Sequence, residues 1–374
     1  MAPAAAIYVH LPFCPYICPY CDFAKWAYDD AAAERYWGAL FAEIAAAPDL
    51  AGTSVFFGGG TPNTYASERI AALLERLRER FAVPPDAEVS LEANPDPALT
   101  ERLDVLRAAG VNRLSFGVQS FETAELRALG RGHDAGDVRQ AVHRARAAGF
   151  TNISIDLMFG TPHQTEASWH RSLDAAIALG VEHVSTYGLT IEEGTPYARW
   201  HAREPAAFAD DGLEAQLYAA AIARLEAAGY EHYEISNFAR PGYRCAHNAV
   251  YWRNGAYLGL GVGAASYIDG VRSTHTRDLA AYEAAALAGE PIPGSAERLE
   301  GDAATGEAIM LALRTSEGVD ARAFRERYGI DVLARYAPAV ADFTAAGLLA
   351  ADERGFRLTV RGRFVANDVC AAFL

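Results

Sequence analysis

Lysine is almost missing from this chain: Lys25 is the only one among 33 basic residues. Beside the many alanines and arginines, that scarcity reads as codon bias. No Lys/Arg run or stripe occurs and the formal net charge is −15, which argues against a nucleic-acid partner. Long apolar runs are also missing, so no integral membrane segment is expected. The first residues lack a basic segment followed by an apolar stretch and a cleavage site, so no secretory signal is expected, and the expected location is the cytoplasm, where thiolates stay reduced. Cysteine is scarce too. Five in 374 residues, three of them in one short loop, give no disulfide framework. What the chain does have is 51% hydrophobic residues, enough to fill the core of one large domain and a small one.

The three clustered thiols are Cys14, Cys18 and Cys21, directly after the apolar strand Ile7-Tyr8-Val9-His10-Leu11. Three cysteines at this spacing bind a [4Fe-4S] cluster and leave one iron without a protein ligand, open to a small chelating cofactor. Zinc is the weaker reading, since no second short-spaced Cys pair follows. Cys245 and Cys370 stand alone far downstream.

Short β-branched or aromatic runs near 7–12, 54–58, 88–93, 113–118, 153–158, 183–189 and 232–236 alternate with helical patterns near 32–47, 67–81, 99–109, 136–148, 168–179 and 212–228. That alternation predicts an α/β fold, a partial (β/α)6-type barrel over residues 1–240. Functional residues of such a fold sit where strands end. The cysteine loop follows the first strand, Gly58-Gly59-Gly60-Thr61-Pro62 the second, Glu92 ends the third, Gln119 lies just past the fourth and Asp156 in the fifth, so they are expected on one rim. Residues 241–300 read as a connecting segment with a Gly-rich strand at 257–264. Residues 301–374 read as a small C-terminal α+β domain, winged-helix-like, with helices near 302–314, 320–328 and 331–346 and a hairpin around Glu353-Arg354-Gly355. A packing or partner domain, not a nucleic-acid-binding one, is the expected role in an acidic chain.

The cysteine loop followed by a Gly-Gly-Gly-Thr-Pro turn resembles the radical S-adenosylmethionine superfamily. Tyr8-Val9-His10-Leu11-Pro12-Phe13-Cys14, Leu91-Glu92-Ala93-Asn94-Pro95, Ser115-Phe116-Gly117-Val118-Gln119-Ser120-Phe121, Leu129-Gly130-Arg131-Gly132-His133 and Asp156-Leu157-Met158-Phe159-Gly160 narrow the resemblance to the family of oxygen-independent coproporphyrinogen III oxidase and the HemW heme chaperones. The resemblance implies that Cys14, Cys18 and Cys21 hold the cluster. It places Tyr8, Tyr20, Gly59, Gly60, Thr61 and Glu92 around S-adenosylmethionine, and Gln119, Arg131 and Asp156 at the oxidase's second cofactor site. For Arg131 and Asp156 the alternative is a barrel-interior salt bridge.

Two departures favour the chaperones. Phe23 stands where the oxidase has a fourth cysteine, and Cys14 comes almost at once, without the oxidase's preceding segment. His247-Asn248-Ala249-Val250-Tyr251-Trp252 also resembles a chaperone motif, which makes His247 a candidate heme ligand; Cys245 is a second candidate, and loop hydrogen bonding is the competing role for His247. The implied cofactors are the cluster, S-adenosylmethionine and heme, and the implied partner is a heme-acceptor protein of the respiratory chain. No catalytic residue is assigned. The alternative activity is oxidative decarboxylation of coproporphyrinogen III to protoporphyrinogen IX.

Overall fold

The computed structural model describes residues 2–374. Six strands, β1 (Ala4–Leu11), β2 (Ala51–Gly59), β3 (Glu88–Ala93), β4 (Arg113–Gln119), β5 (Ile153–Phe159) and β6 (His183–Gly188), pair in parallel, each beside its predecessor. Helices α1 (Asp30–Ala46), α2 (Ser67–Phe81), α3 (Leu103–Ala109), α4 (Ala135–Ala147), α5 (Glu166–Ala178) and α6 (Asp211–Ala227) occupy the stretches between and after them. The two periods explain the layers. On β2, Val55 and Phe57 enter the main core under the helices, while Ser54, Phe56 and Gly58 face the other way, into the barrel. On α2, Ile70, Leu73, Leu74, Leu77 and Phe81 return every three or four residues and are all buried. Burial of each such side chain stabilises the fold by about 1.5–3 kcal/mol.

The sheet runs further than six strands. Residues 241–300 do more than connect: β9 (Tyr257–Leu260) pairs in parallel with the free edge of β1, and β10 (Ala265–Ile268), β11 (Val271–His275) and β12 (Gly294–Arg298) continue antiparallel from it. The glycine pattern there has a steric cause. A Cβ on Gly259 would lie 2.1 Å from the Ala265 carbonyl oxygen, inside the hairpin. At the opposite edge the strand expected at 232–236 is two short antiparallel pieces, β7 (Glu231–Glu234) and β8 (Asn237–Ala239). The result is one open twelve-stranded sheet, a partial barrel.

The C-terminal unit has its own core, centred on Ile309, Val332, Phe356, Val369 and Phe373. Its hairpin joins Leu349–Asp352 to Gly355–Leu358, and Val319 and Asp320 add a third short strand. The helix expected at 331–346 is broken into Val332–Arg335 and Ala337–Ala345 at Tyr336, because Pro338 has no N–H to continue the helical ladder and its ring crowds the preceding turn. No helix among the described residues is long and apolar enough to cross a membrane.

Candidate cofactor site

A cavity of about 340 Å³ opens at the carboxyl ends of the parallel strands, and the features expected on one rim meet there. Its lining includes Cys14, Cys18, Cys21, Tyr20, Gly59, Gly60, Thr61, Glu92, Gln119, Arg131 and Asp156. The base of the cysteine loop is fixed by a two-residue ladder between Phe13–Cys14 and Trp26–Ala27. A turn within it brings the Cys21 amide to the Cys18 carbonyl at 3.2 Å. Cys14 is buried, while Cys18 and Cys21 are half-buried. Burial pushes the Cys14 thiol up to about 11 and raises that of Cys21.

The glycine turn is where side chains cannot fit. A Cβ on Gly60 would lie 2.7 Å from the Pro12 carbonyl carbon, and Gly59 has φ +110 with the His10 ring 2.6 Å from where its Cβ would be. The Gly60 amide donates to the Leu11 carbonyl at 2.8 Å and the Thr61 amide to Phe13 at 3.0 Å, so the turn is tied to the strand that carries Cys14. The Gly59 amide donates to Glu92 Oε2 at 3.2 Å.

Two carboxylates share the cavity floor. Burial, then the neighbouring charge of Asp156, pushes Glu92 up to about 7. Burial also raises Asp156, against the hydroxyls of Ser185 and Ser115 and the charges of Arg113 and Arg131; Ser115 Oγ donates to it at 3.1 Å. Arg131 crosses the site. Its guanidinium donates to Asn94 Oδ1 and to the Gly117 carbonyl at 2.6 Å each, reaches Cys18 Sγ at 3.5 Å, and keeps one buried nitrogen, Nε, without a partner. Arg131 lines the cavity and makes no ion pair among the described residues, so the interior salt bridge is not formed. Gln119 is held differently. It adopts φ +68, strained for a residue with a side chain, after a register shift between Gly117 and Gln119 that aims it at the cavity, where Tyr187 donates to its Oε1 at 2.7 Å.

Two expected residues are placed elsewhere. Tyr8 lies beneath the cavity without lining it: its hydroxyl meets His10 Nδ1 at 3.0 Å and its ring stacks on Phe56. His247 is farther. It sits on α7 (Ala246–Trp252), where Ser54 Oγ meets its Nδ1 and the Tyr251 hydroxyl its Nε2, both at 2.8 Å. Ser54 is five residues before Gly59, about 16 Å down the strand. His247 is fully buried with both ring nitrogens partnered, the hydrogen-bonding arrangement that competed with heme ligation. Cys245 is buried as well, with its thiol against Glu88 Oε1 at 3.4 Å and pushed up to about 12 by that burial.

Sequence reasoning missed several participants. His10 bridges Tyr8 and, through Nε2 at 2.7 Å, the Ala24 carbonyl of the cysteine loop; its place beside Tyr8 in the strand motif was the only signal. Asn94 binds Arg131 and lies in the motif already noted around Glu92. Tyr187 had no signal.

The donor set fits a four-iron cluster with a chelating cofactor. All three thiols line the cavity. Beside them lie a turn that backbone alone can occupy, carboxylates for an ammonium, and an arginine with a spare donor. When bound, such a cluster offers one open iron to the methionyl amine and carboxylate of S-adenosylmethionine and an electron to its sulfonium.

Residues 8–176 match the Radical SAM superfamily and residues 299–365 the HemN C-terminal domain. The chain is 36% identical to the heme chaperone HemW of Bacillus subtilis, covering 98% of each, and 40% identical to that of Mycobacterium tuberculosis (strain CDC 1551 / Oshkosh), covering 98% of this chain and 94% of the relative. Its structure is similar to that of coproporphyrinogen III oxidase from Escherichia coli, with a TM-score of 0.87 and 27% identity over 100% of this chain and 90% of the other. With relatives matched from end to end and the three thiols, glycine turn and carboxylates gathered in one cavity, the chain belongs to the HemW family of the radical S-adenosylmethionine superfamily.

Proposed function

We propose that this chain is a heme chaperone: it binds heme, a [4Fe-4S] cluster and S-adenosylmethionine in the cytoplasm and transfers heme to an acceptor protein of the respiratory chain. The observation that carries this reading is end-to-end similarity, 36–40%, to heme chaperones. In it Cys14, Cys18 and Cys21 hold the cluster. Gly59, Gly60, Thr61 and Glu92 hold the methionyl end of the cofactor, with Tyr20 on the opposite wall and Tyr8 acting from beneath. Gln119, Arg131 and Asp156 correspond to the oxidase's second cofactor site, where Gln119 and Asp156 are suited to ribose hydroxyls or an amine.

Anaerobic heme titration of the reconstituted protein should give a defined stoichiometry, and mixing with an apo-acceptor should move the heme only when the cluster is present. Absence of heme binding contradicts the proposal. The structural likeness to coproporphyrinogen III oxidase favours a second reading, decarboxylation of coproporphyrinogen III, which differs in one product.

A further inference from the structure

Large apolar side chains exposed on this protein are few, and two of them, Ile17 and Phe23, belong to the cysteine loop. Both line the cofactor cavity. Ile17 is 44% exposed and Phe23 65% exposed, the most exposed aromatic among the described residues. Leaving a phenylalanine ring this far in water forfeits much of what its burial would contribute, and nothing in the loop requires an aromatic for packing. Beside it stands Lys25, the chain's only lysine. Its ammonium donates to the Cys21 carbonyl and makes no ion pair among the described residues. The acidic residues on the same lip are Asp22 and Glu192, and Asp22 is paired with Arg277 at 3.4 Å. An apolar lip carrying an ammonium that makes no ion pair complements a flat apolar ring that carries a carboxylate, and Glu192 is the one acidic group on the lip without an ion-pair partner among the described residues.

The protein has a larger cavity, about 810 Å³, between α7 and the C-terminal unit, lined by Trp252, Arg253, Arg327 and Tyr328 among others. Two of its three arginines are ion-paired, and the third, Arg327, is held by two carbonyls. Arg244 pairs with Glu231 and Glu317, Arg253 approaches Glu317 at 3.9 Å, and Arg327 donates to the carbonyls of Arg253 and Asn254.

Resting on the heme-chaperone reading, we propose that Ile17 and Phe23 seat the ring of heme at the lip of the cluster cavity and that Lys25 binds one of its propionates. The seat lies in the loop closed by the pairing of Phe13–Cys14 with Trp26–Ala27, the same loop that carries Cys14, Cys18 and Cys21.

Anaerobic heme titration of the cluster-loaded full chain, followed by absorbance, tests this with Phe23→Ala, Lys25→Met, Lys25→Arg and, as a control exposed residue outside the cavity, Leu287→Ala. Phe23→Ala should weaken heme roughly three- to tenfold, the range expected for losing an aromatic contact. Lys25→Met should weaken it by a similar factor, Lys25→Arg should restore most of the loss, and Leu287→Ala should change nothing. Iron content and S-adenosylmethionine affinity should stay at wild-type values in all four, which separates a lost seat from a damaged loop. Wild-type heme affinity in both Phe23→Ala and Lys25→Met overturns the seat while leaving the chaperone reading intact. Loss of heme in Trp252→Ala with no loss in Phe23→Ala moves the site to the larger cavity and also overturns it. Failure of the wild-type chain to bind heme overturns the function first and the seat with it.

Discussion

The two ends of the barrel interior are built from the same kinds of residue and behave differently. At the lower end, His183 meets Ser154 and Tyr233 at 2.8 Å each, His247 meets Ser54 and Tyr251, and Glu88 accepts from the amides of Ala246 and His247. Those groups are partnered, and burial keeps both histidines neutral by lowering their proton affinity. At the upper end, Glu92 and Asp156 are two raised carboxylates near each other, Arg131 keeps an unpartnered nitrogen, and Gln119 holds a strained backbone. Buried polar groups that satisfy one another make a scaffold; groups held together with capacity left over make a site. Arg113, at the lower end of the interior face of β4, is the exception there: its buried Nε has no hydrogen-bond partner, and its charge steadies both carboxylates from below.

The comparison breaks most visibly at the thiols. Cys18→Ala should abolish most cluster binding after anaerobic iron and sulfide reconstitution, while Cys245→Ala and Cys370→Ala should keep about four irons per chain; full iron retention in Cys18→Ala would remove the cysteine loop as the cluster site. Next come the upper carboxylates. Glu92→Gln should weaken S-adenosylmethionine about ten- to hundredfold in calorimetry, the loss of a charge-assisted bond, without changing iron content. At the other end, His247→Ala should leave cofactor affinity and the heme spectrum unaltered but cost about 2–3 kcal/mol of stability in denaturant unfolding, because it strips partners from Ser54 and Tyr251.

The smallest effect is the pH dependence. Glu92 is raised to about 7, so at neutral pH part of the protein holds it protonated and unable to accept from the methionyl ammonium. Affinity should rise about tenfold between roughly pH 6 and pH 8 and lose that slope in Glu92→Gln. For stability the sign is opposite. The folded state holds this proton more tightly than the unfolded chain, so the contribution is full below the ordinary glutamate pKa and declines as pH rises toward about 7.

Much of this contrast was legible in the sequence at the upper end and little of it at the lower. The alternation of β-branched or aromatic runs with helical patterns located the six parallel strands, and position along each strand named the rim residues, because in a parallel sheet chain direction alone decides which end a residue occupies. The aim of a side chain was harder. The register shift that turns Gln119 into the cavity has no local residue signature. His247 was recognisable by its motif, but which end of the barrel α7 would plug depends on Ser54 and Glu88, 193 and 159 residues away. The strands β9 to β12 were obscured because they have five residues or fewer and mix two kinds of glycine: Gly259 and Gly294 are set by close contact between strands, while Gly261, Gly263 and Gly270 sit in turns with positive φ.

Product analysis under anaerobic conditions tests the central claim most directly. Cluster-loaded protein, reductant and S-adenosylmethionine would be incubated with coproporphyrinogen III, and in parallel with heme and an apo-acceptor. The account predicts heme delivered to the acceptor and coproporphyrinogen recovered unchanged. Conversion to protoporphyrinogen at an enzymatic rate, on the order of one turnover per second or faster, would contradict it.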